Sequence, residues 1–175
     1  MKENCEQQNE MGLVETLAKR LVFQSRCWKI SGIIKGVIGI ALIVFGFVTY
    51  YNQGDLQKYS VVLIMVGVLH LFVTFLNFCF CNSYIEYRDD ITERPNKIVE
   101  HYEEIEGCLW NILYNVIFGG IVGTIGAVYG FLTRSFVLGN QEGFKEIEHQ
   151  YIVKKAMEKL ASMQSENNTA SGDSE

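Results

Sequence analysis

Leu109–Leu132 reads LWNILYNVIFGGIVGTIGAVYGFL, a run with no charged residue and with five glycines. As one helix it would be about 36 Å long at 1.5 Å per residue, more than the roughly 30 Å of a bilayer's hydrocarbon core. Two further runs share this character. Ile30–Tyr51, ISGIIKGVIGIALIVFGFVTYY, is interrupted only by Lys35, and Val61–Phe80, VVLIMVGVLHLFVTFLNFCF, has His70 and Asn77 as its polar members. Trp28, Tyr50, Tyr51, Tyr59, Tyr84 and Trp110 stand near the ends of these runs, where amphipathic rings favour the headgroup level. Buried helices of a soluble core would not need three spanning lengths nearly free of charge. The pattern predicts an all-α, multi-pass transmembrane protein with three spans.

Composition agrees with that solvent. Of 175 residues, 49% are hydrophobic and 20% charged, which is too apolar for general disorder. A net charge of −5 leaves no broad basic field for nucleic acid. Five cysteines fall short of a disulfide scaffold.

The remainder divides around the spans. Residues 1–29 form a leader in which Leu13, Leu17 and Leu21 recur every four positions, while Glu15, Lys19, Arg20 and Gln24 fall largely opposite. This reads as an amphipathic helix lying in the membrane interface, or else covering the end of the bundle. Residues 30–51, 61–80 and 109–132 are the spans. Residues 82–107 make a polar middle segment, with a short helix expected after Pro95 and an apolar edge of Ile98, Tyr102 and Ile105. Residues 142–164 make a C-terminal amphipathic helix with a broken stripe through Phe144, Ile147, Tyr151, Ile152, Ala156 and Leu160. The small, polar tail 165–175 reads as disordered. No small-residue cleavage pattern follows the first apolar run, so a cleaved signal peptide is not expected.

Basic residues near the spans set the orientation. Lys19, Arg20, Arg26 and Lys29 precede the first span, Arg88, Arg94 and Lys97 lie in the middle segment, and the short loop 52–60 carries only Lys58. The N-terminus is thus expected in the cytoplasm, with the cell membrane as its location. Three full spans would export a C-terminal helix carrying Lys145, Lys154, Lys155 and Lys159, which conflicts with the rule. A hairpin broken at Gly119–Gly120 would return that helix to the cytoplasm. Each of its arms is too short to span, however, and a turn at membrane depth must be buried in protein. On that ground the sequence favours three full spans.

Glycine patterning suggests how helices meet. Gly32 and Gly36 open the first span, and Gly119, Gly123, Gly126 and Gly130 run along one face of the third. Small residues four apart let a second backbone approach closely. The partner is either the first span against the third within one chain, or another copy in an oligomer. GVIGIALIVFGFVT from Gly36 also echoes GIVGTIGAVYGFLT from Gly120, which reads as an old hairpin duplication or as convergent glycine use.

Chemistry-bearing residues are few. His70 lies mid-span, where an ionisable group is costly. It is expected either to bond Asn111, Asn115 or Thr124, or to line a polar path with the span asparagines. Cys27, Cys79, Cys81 and Cys108 gather near one interface as unmodified thiols, acylation sites or, less fittingly for Cys79-x-Cys81, zinc ligands. His101 with Glu104, and Glu146 with His149, read as solvated faces rather than a diiron set. Asn167-Asn168-Thr169 matches a glycosylation sequon. No hydrolase, phosphate-loop, zinc-protease or dinucleotide motif is present, so no catalytic residue, cofactor or metal is assigned. The expectation is a non-enzymatic membrane protein whose partners are the lipid bilayer and another copy or other membrane proteins, with no nucleic acid. The alternative is a small oligomeric transporter or channel with a path near His70.

Overall fold

A computed structural model describes the backbone of residues 2–52 and 57–172 and the side chains of residues 12–52 and 57–164. The described chain is helical without strands. Its helices are α1 (Lys2–Tyr51), α2 (Gln57–Glu93), α3 (Ile98–Glu103), α4 (Glu106–Tyr114), α5 (Gly120–Gly139) and α6 (Gln141–Gly172), with a π-helical stretch over Asn115–Gly119 between α4 and α5. Among the described residues three helical stretches, Gly12–Tyr51, Gln57–Glu93 and Glu106–Gly139, are long and apolar enough to cross a membrane. α6 runs into the tail that composition marks as disordered. The side chains of the sequon and of Cys5 lie outside the described residues.

α1 and α2 form a long antiparallel hairpin built on small residues. Ser25, Gly32, Gly39 and Gly46 recur every seven positions on α1, and Ser60, Gly67, Thr74 and Cys81 do the same on α2. The two series meet in opposite order. Ser25 Oγ lies 3.2 Å from Cys81 Sγ, and Thr74 Oγ1 donates to the carbonyl of Gly32 at 3.2 Å. A Cβ on Gly39 would come 2.9 Å from the carbonyl oxygen of Gly67, and one on Gly46 3.0 Å from that of Ser60. Such distances leave no room for a side chain, so backbone meets backbone. A seven-residue repeat keeps this seam facing the partner along the hairpin.

The third apolar stretch is not a through-going rod. Gly120 has φ 64° and ψ −165°, a conformation open essentially to glycine alone, and the chain reverses there. Arg134 donates to the carbonyl of Glu103 at 2.9 Å, although a straight helix would hold them about 46 Å apart. The continuous span 109–132 is therefore corrected to a hairpin, with α4 and the π-helical stretch as one arm and α5 as the other. The objection to such a hairpin, unsatisfied backbone at depth, is met because protein covers the turn: Gly119 and Asn115 are buried, and side chains bond the carbonyls of both. α5 thus ends at the level of the leader, where Val137 packs with Leu17 and Leu21. The echo between Gly36 and Gly120 does not mark equivalent structures, since Gly36 sits inside a continuous helix and Gly120 at a reversal.

The leader also differs from an interfacial helix that turns into the bilayer. It continues into the first span as one helix, α1. Leu17 and Leu21 are fully buried against Ile91, Ile98, Val99, Val137 and Phe144. This core joins α1, α2, α3, α5 and α6 at one end of the molecule. Arg20 lies over the rings of Phe136 (4.4 Å) and Tyr129 (5.7 Å), which places a cation beside apolar α5 without burying it unpaired. In the middle segment, Ile98 and Tyr102 face this core as expected, whereas Ile105 is exposed because the helix breaks at Glu104 before α4 begins.

Candidate functional site

Two features lie where the α4–α5 hairpin meets the long hairpin. The first is a polar seam. Ser31 Oγ donates to the carbonyl of Gly119 at 2.9 Å and accepts from Asn77 Nδ2 at 3.2 Å, while Asn77 Oδ1 accepts from the Tyr114 hydroxyl at 3.2 Å. Asn115 Nδ2 bonds the carbonyl and the side-chain oxygen of Asn111 at 2.8 and 2.7 Å, and Asn111 Nδ2 donates to Tyr84 at 3.0 Å. Ser31, Asn77 and Asn115 are buried. In apolar surroundings each unsatisfied group would be costly, so this chain of bonds fixes the hairpin's register on α1 and α2.

The second feature is an open cavity of about 1140 Å³ beside the seam, lined by residues of α1 to α5 and of the turn between α2 and α3. Trp28, Phe80, Tyr84 and Tyr114 close one end, their rings 4.8 to 6.5 Å apart by centroid from Trp28. Asp90, Arg94, Lys97, Glu100 and Glu104 surround the other. His101 stacks on Tyr87 at 4.3 Å between the two ends. His101 keeps solvent contact, yet its partial burial lowers its pKa below the ordinary histidine value, with Glu104 opposing. Burial pushes the Tyr102 phenol well above its usual range. Gln24, also in the lining, is 2% exposed and its Oε1 has no hydrogen-bond partner.

The residues singled out from sequence separate into groups. Asn111 and Asn115 belong to the seam. His70 does not join them, because its Nδ1 lies 2.9 Å from the carbonyl of Val66 one turn earlier, beside Gly39 rather than the α4–α5 hairpin. Gly32 and Gly36 face Thr74 and Asn77 of α2, not the third apolar stretch. Gly119 and Gly123 close on Asn115, and Gly126 and Gly130 on Cys27 and Gln24 of α1. All four glycines of that strip are buried within the chain. Cys27 and Cys81 are buried, Cys108 is half-buried and Cys79 is exposed. His101 and the Glu146–His149 turn lie at the same end of the molecule, since Glu148 accepts from the Val99 amide at 3.2 Å. No group of three metal-ligating side chains forms among the described residues.

Sequence reading misses Gly39, Gly46 and Gly67, although their seven-residue spacing is visible in the chain. A search for small residues four apart does not register a repeat of seven. Periodicity puts Gln24 on the polar face of the leader, and nothing local indicates that α5 covers it. No protein-family model, no curated protein and no solved structure matches this chain.

Proposed function

We propose that the protein is a non-enzymatic integral membrane protein, an assembly, scaffold or regulatory subunit that works by helix packing with itself or with partner membrane proteins. The carrying observation is α6. Its contacts with the rest of the chain end near Tyr151, and beyond that Val153, Met157, Leu160 and Met163 are exposed along one stripe. Lys154, Lys155, Glu158 and Lys159 occupy the opposite side. A projecting helix with an apolar stripe suits an amphipathic partner helix. The glycine strips are already used inside the chain, so α6 takes the place of the third-span strip as the contact.

The broad outward display of apolar side chains on α1, α2, α4 and α5 supports lipid as the surrounding solvent. Reversal at Gly120 brings the basic residues of leader, middle segment and α6 to one end, leaving Lys58 near the other. That asymmetry supports a cell-membrane protein with its N-terminus, and now its C-terminus, in the cytoplasm.

Chemical crosslinking in native membranes tests the reading on the full chain. Met157→Glu with Leu160→Glu should abolish crosslinked species while leaving the α1–α2 hairpin folded. Unchanged crosslinking in that double variant would remove α6 as the contact and the proposal with it.

A further inference from the structure

We propose that the open cavity beside the seam receives the distal half of α6 from a second copy of this chain. The inference rests on α6 as the contact helix and names its partner. Three observations carry it.

The first is charge. From Ile152 to Met163, α6 carries Lys154, Lys155 and Lys159 against Glu158, a net of +2, whereas residues 82–107 hold eight acidic and three basic residues, a net of −5. On the cavity rim Lys97 is engaged by Glu100 at 3.8 Å, which leaves Asp90 and Glu104 to outnumber Arg94. The lysines beside the α6 stripe therefore suit an acidic rim, and complementary potentials select partner and register. Pairing α6 with α6 would instead set three lysines against three, a like-charge contact that costs binding.

The second is the size and lining of the cavity. Its volume of about 1140 Å³ exceeds the roughly 300–1,000 Å³ of small-molecule pockets. Tyr84, Tyr87 and Trp110 line it, and Trp110 is 69% exposed. Aromatic rings accept flexible methionine side chains well, and the α6 stripe offers Met157, Leu160 and Met163. An amphipathic helix laid with its apolar face in an apolar groove is a recurring mode of recognition.

The third is height. α6 crosses the end of the bundle, with Gly143 against Leu13 of α1 and Glu148 on the Val99 amide of α3. Leu13 lies about 25 Å along α1 from Ile30, where the first apolar run begins, so α6 leaves the molecule well clear of the lipid. α3 supplies Glu100 and His101 to the cavity, so α6 departs at the height of the rim. Two copies held by their spans in one membrane share that height. The α6 of one copy then meets the cavity of the next, a head-to-tail contact.

Two full-length variants test this arrangement. One carries Met157→Glu with Leu160→Glu and keeps its cavity; the other carries Asp90→Lys with Glu104→Lys, both at exposed positions, and keeps its stripe. Differently tagged copies are co-expressed and co-purified in mild detergent. Each variant alone should retain about tenfold less of its own second copy than wild type does. The two variants together should recover pairing, since one supplies a cavity and the other a stripe, and that recovery also shows that both fold. No recovery on mixing would overturn the head-to-tail contact. A wild type that does not self-associate, or a rim variant that does so undiminished, would overturn the cavity as the partner of α6 while leaving α6 as a contact for other proteins. Undiminished self-association of the stripe variant would remove α6 as the contact altogether.

Discussion

Ser31 and Gly119 lie 88 positions apart and are joined by a 2.9 Å hydrogen bond from the serine hydroxyl to the glycine carbonyl. This bond fastens the turn of the α4–α5 hairpin to α1, and Asn77 and Tyr114 extend it across α2 and α4. Replacing Asn77 by Leu removes two interhelical bonds and leaves Ser31 and Tyr114 short of partners. Each such bond contributes about 0.6 kcal/mol on average in membrane proteins and at most about 1.7. Asn77→Leu should therefore lower stability by about 1–2 kcal/mol. Detergent-unfolding curves for wild type and variant, compared at one lipid content, measure this directly.

The reversal makes a topological prediction independent of energetics. A compartment reporter at the C-terminus should give the same answer as one at the N-terminus. Opposite answers would restore the through-going third span and with it the export of α6.

Gly120 is the residue on which the reversal depends. Its φ is 64°, yet a Cβ added there would meet open space, the nearest atom being Lys35 Nζ at 4.0 Å. The cost of Gly120→Ala is thus conformational rather than a collision, of order 1–3 kcal/mol. Gly139→Ala also meets nothing within 4 Å and lies at a helix end without a positive φ. Thermal unfolding should separate the two, with a clear drop for Gly120→Ala and a small change for Gly139→Ala.

How much of this was legible follows from which forces are local. The apolar runs, the short helix after Pro95 and the leader's buried leucines are periodic in sequence, so hydropathy and spacing reveal them. The reversal is not periodic. Gly119–Gly120 permits a turn without requiring one, and the deciding bonds come from Ser31 and Asn77, far away in sequence. Backbone at membrane depth does need protein cover, but whether protein covers a given turn is a tertiary fact. His70 failed as a partner of Asn111 and Asn115 for a similar reason: the α4–α5 hairpin reaches only the level of Ser31 and Lys35, short of His70 on α2. The cavity was illegible because five helices contribute to it and no segment carries a motif of its own.

Close backbone approach in the long hairpin gives a graded series. A Cβ at Gly39 would meet the Gly67 carbonyl at 2.9 Å and side-chain atoms of His70 and Leu71 at 3.1 Å, whereas one at Gly36 would meet only Thr74 at 3.4 Å or beyond. Gly39→Val should cost about 1–3 kcal/mol through overpacking, and Gly36→Ala should be tolerated. Disulfide trapping between Ser25→Cys and the native Cys81, whose side chains meet across the same seam at 3.2 Å, would report separation of α1 from α2. Equal trapping in the two variants would mean that the small-residue seam does not set the helix distance.

His101 gives the pH dependence its sign. Packing against Tyr87 disfavours the charged ring, so the folded pKa lies below the ordinary value of about 6.5 despite the nearby Glu104. Between the folded and unfolded pKa values the unfolded chain binds more protons, so stability rises with pH through that window and falls on acidification below about pH 6.5. The ring keeps solvent contact, which makes the slope shallow. Unfolding midpoints from pH 5 to 7.5 should show this slope in wild type and a flatter one in His101→Gln, which cannot titrate. An identical slope in the variant would assign the pH response to the acidic residues of the middle segment, and a steeper one would mean that His101 is stabilised by protonation.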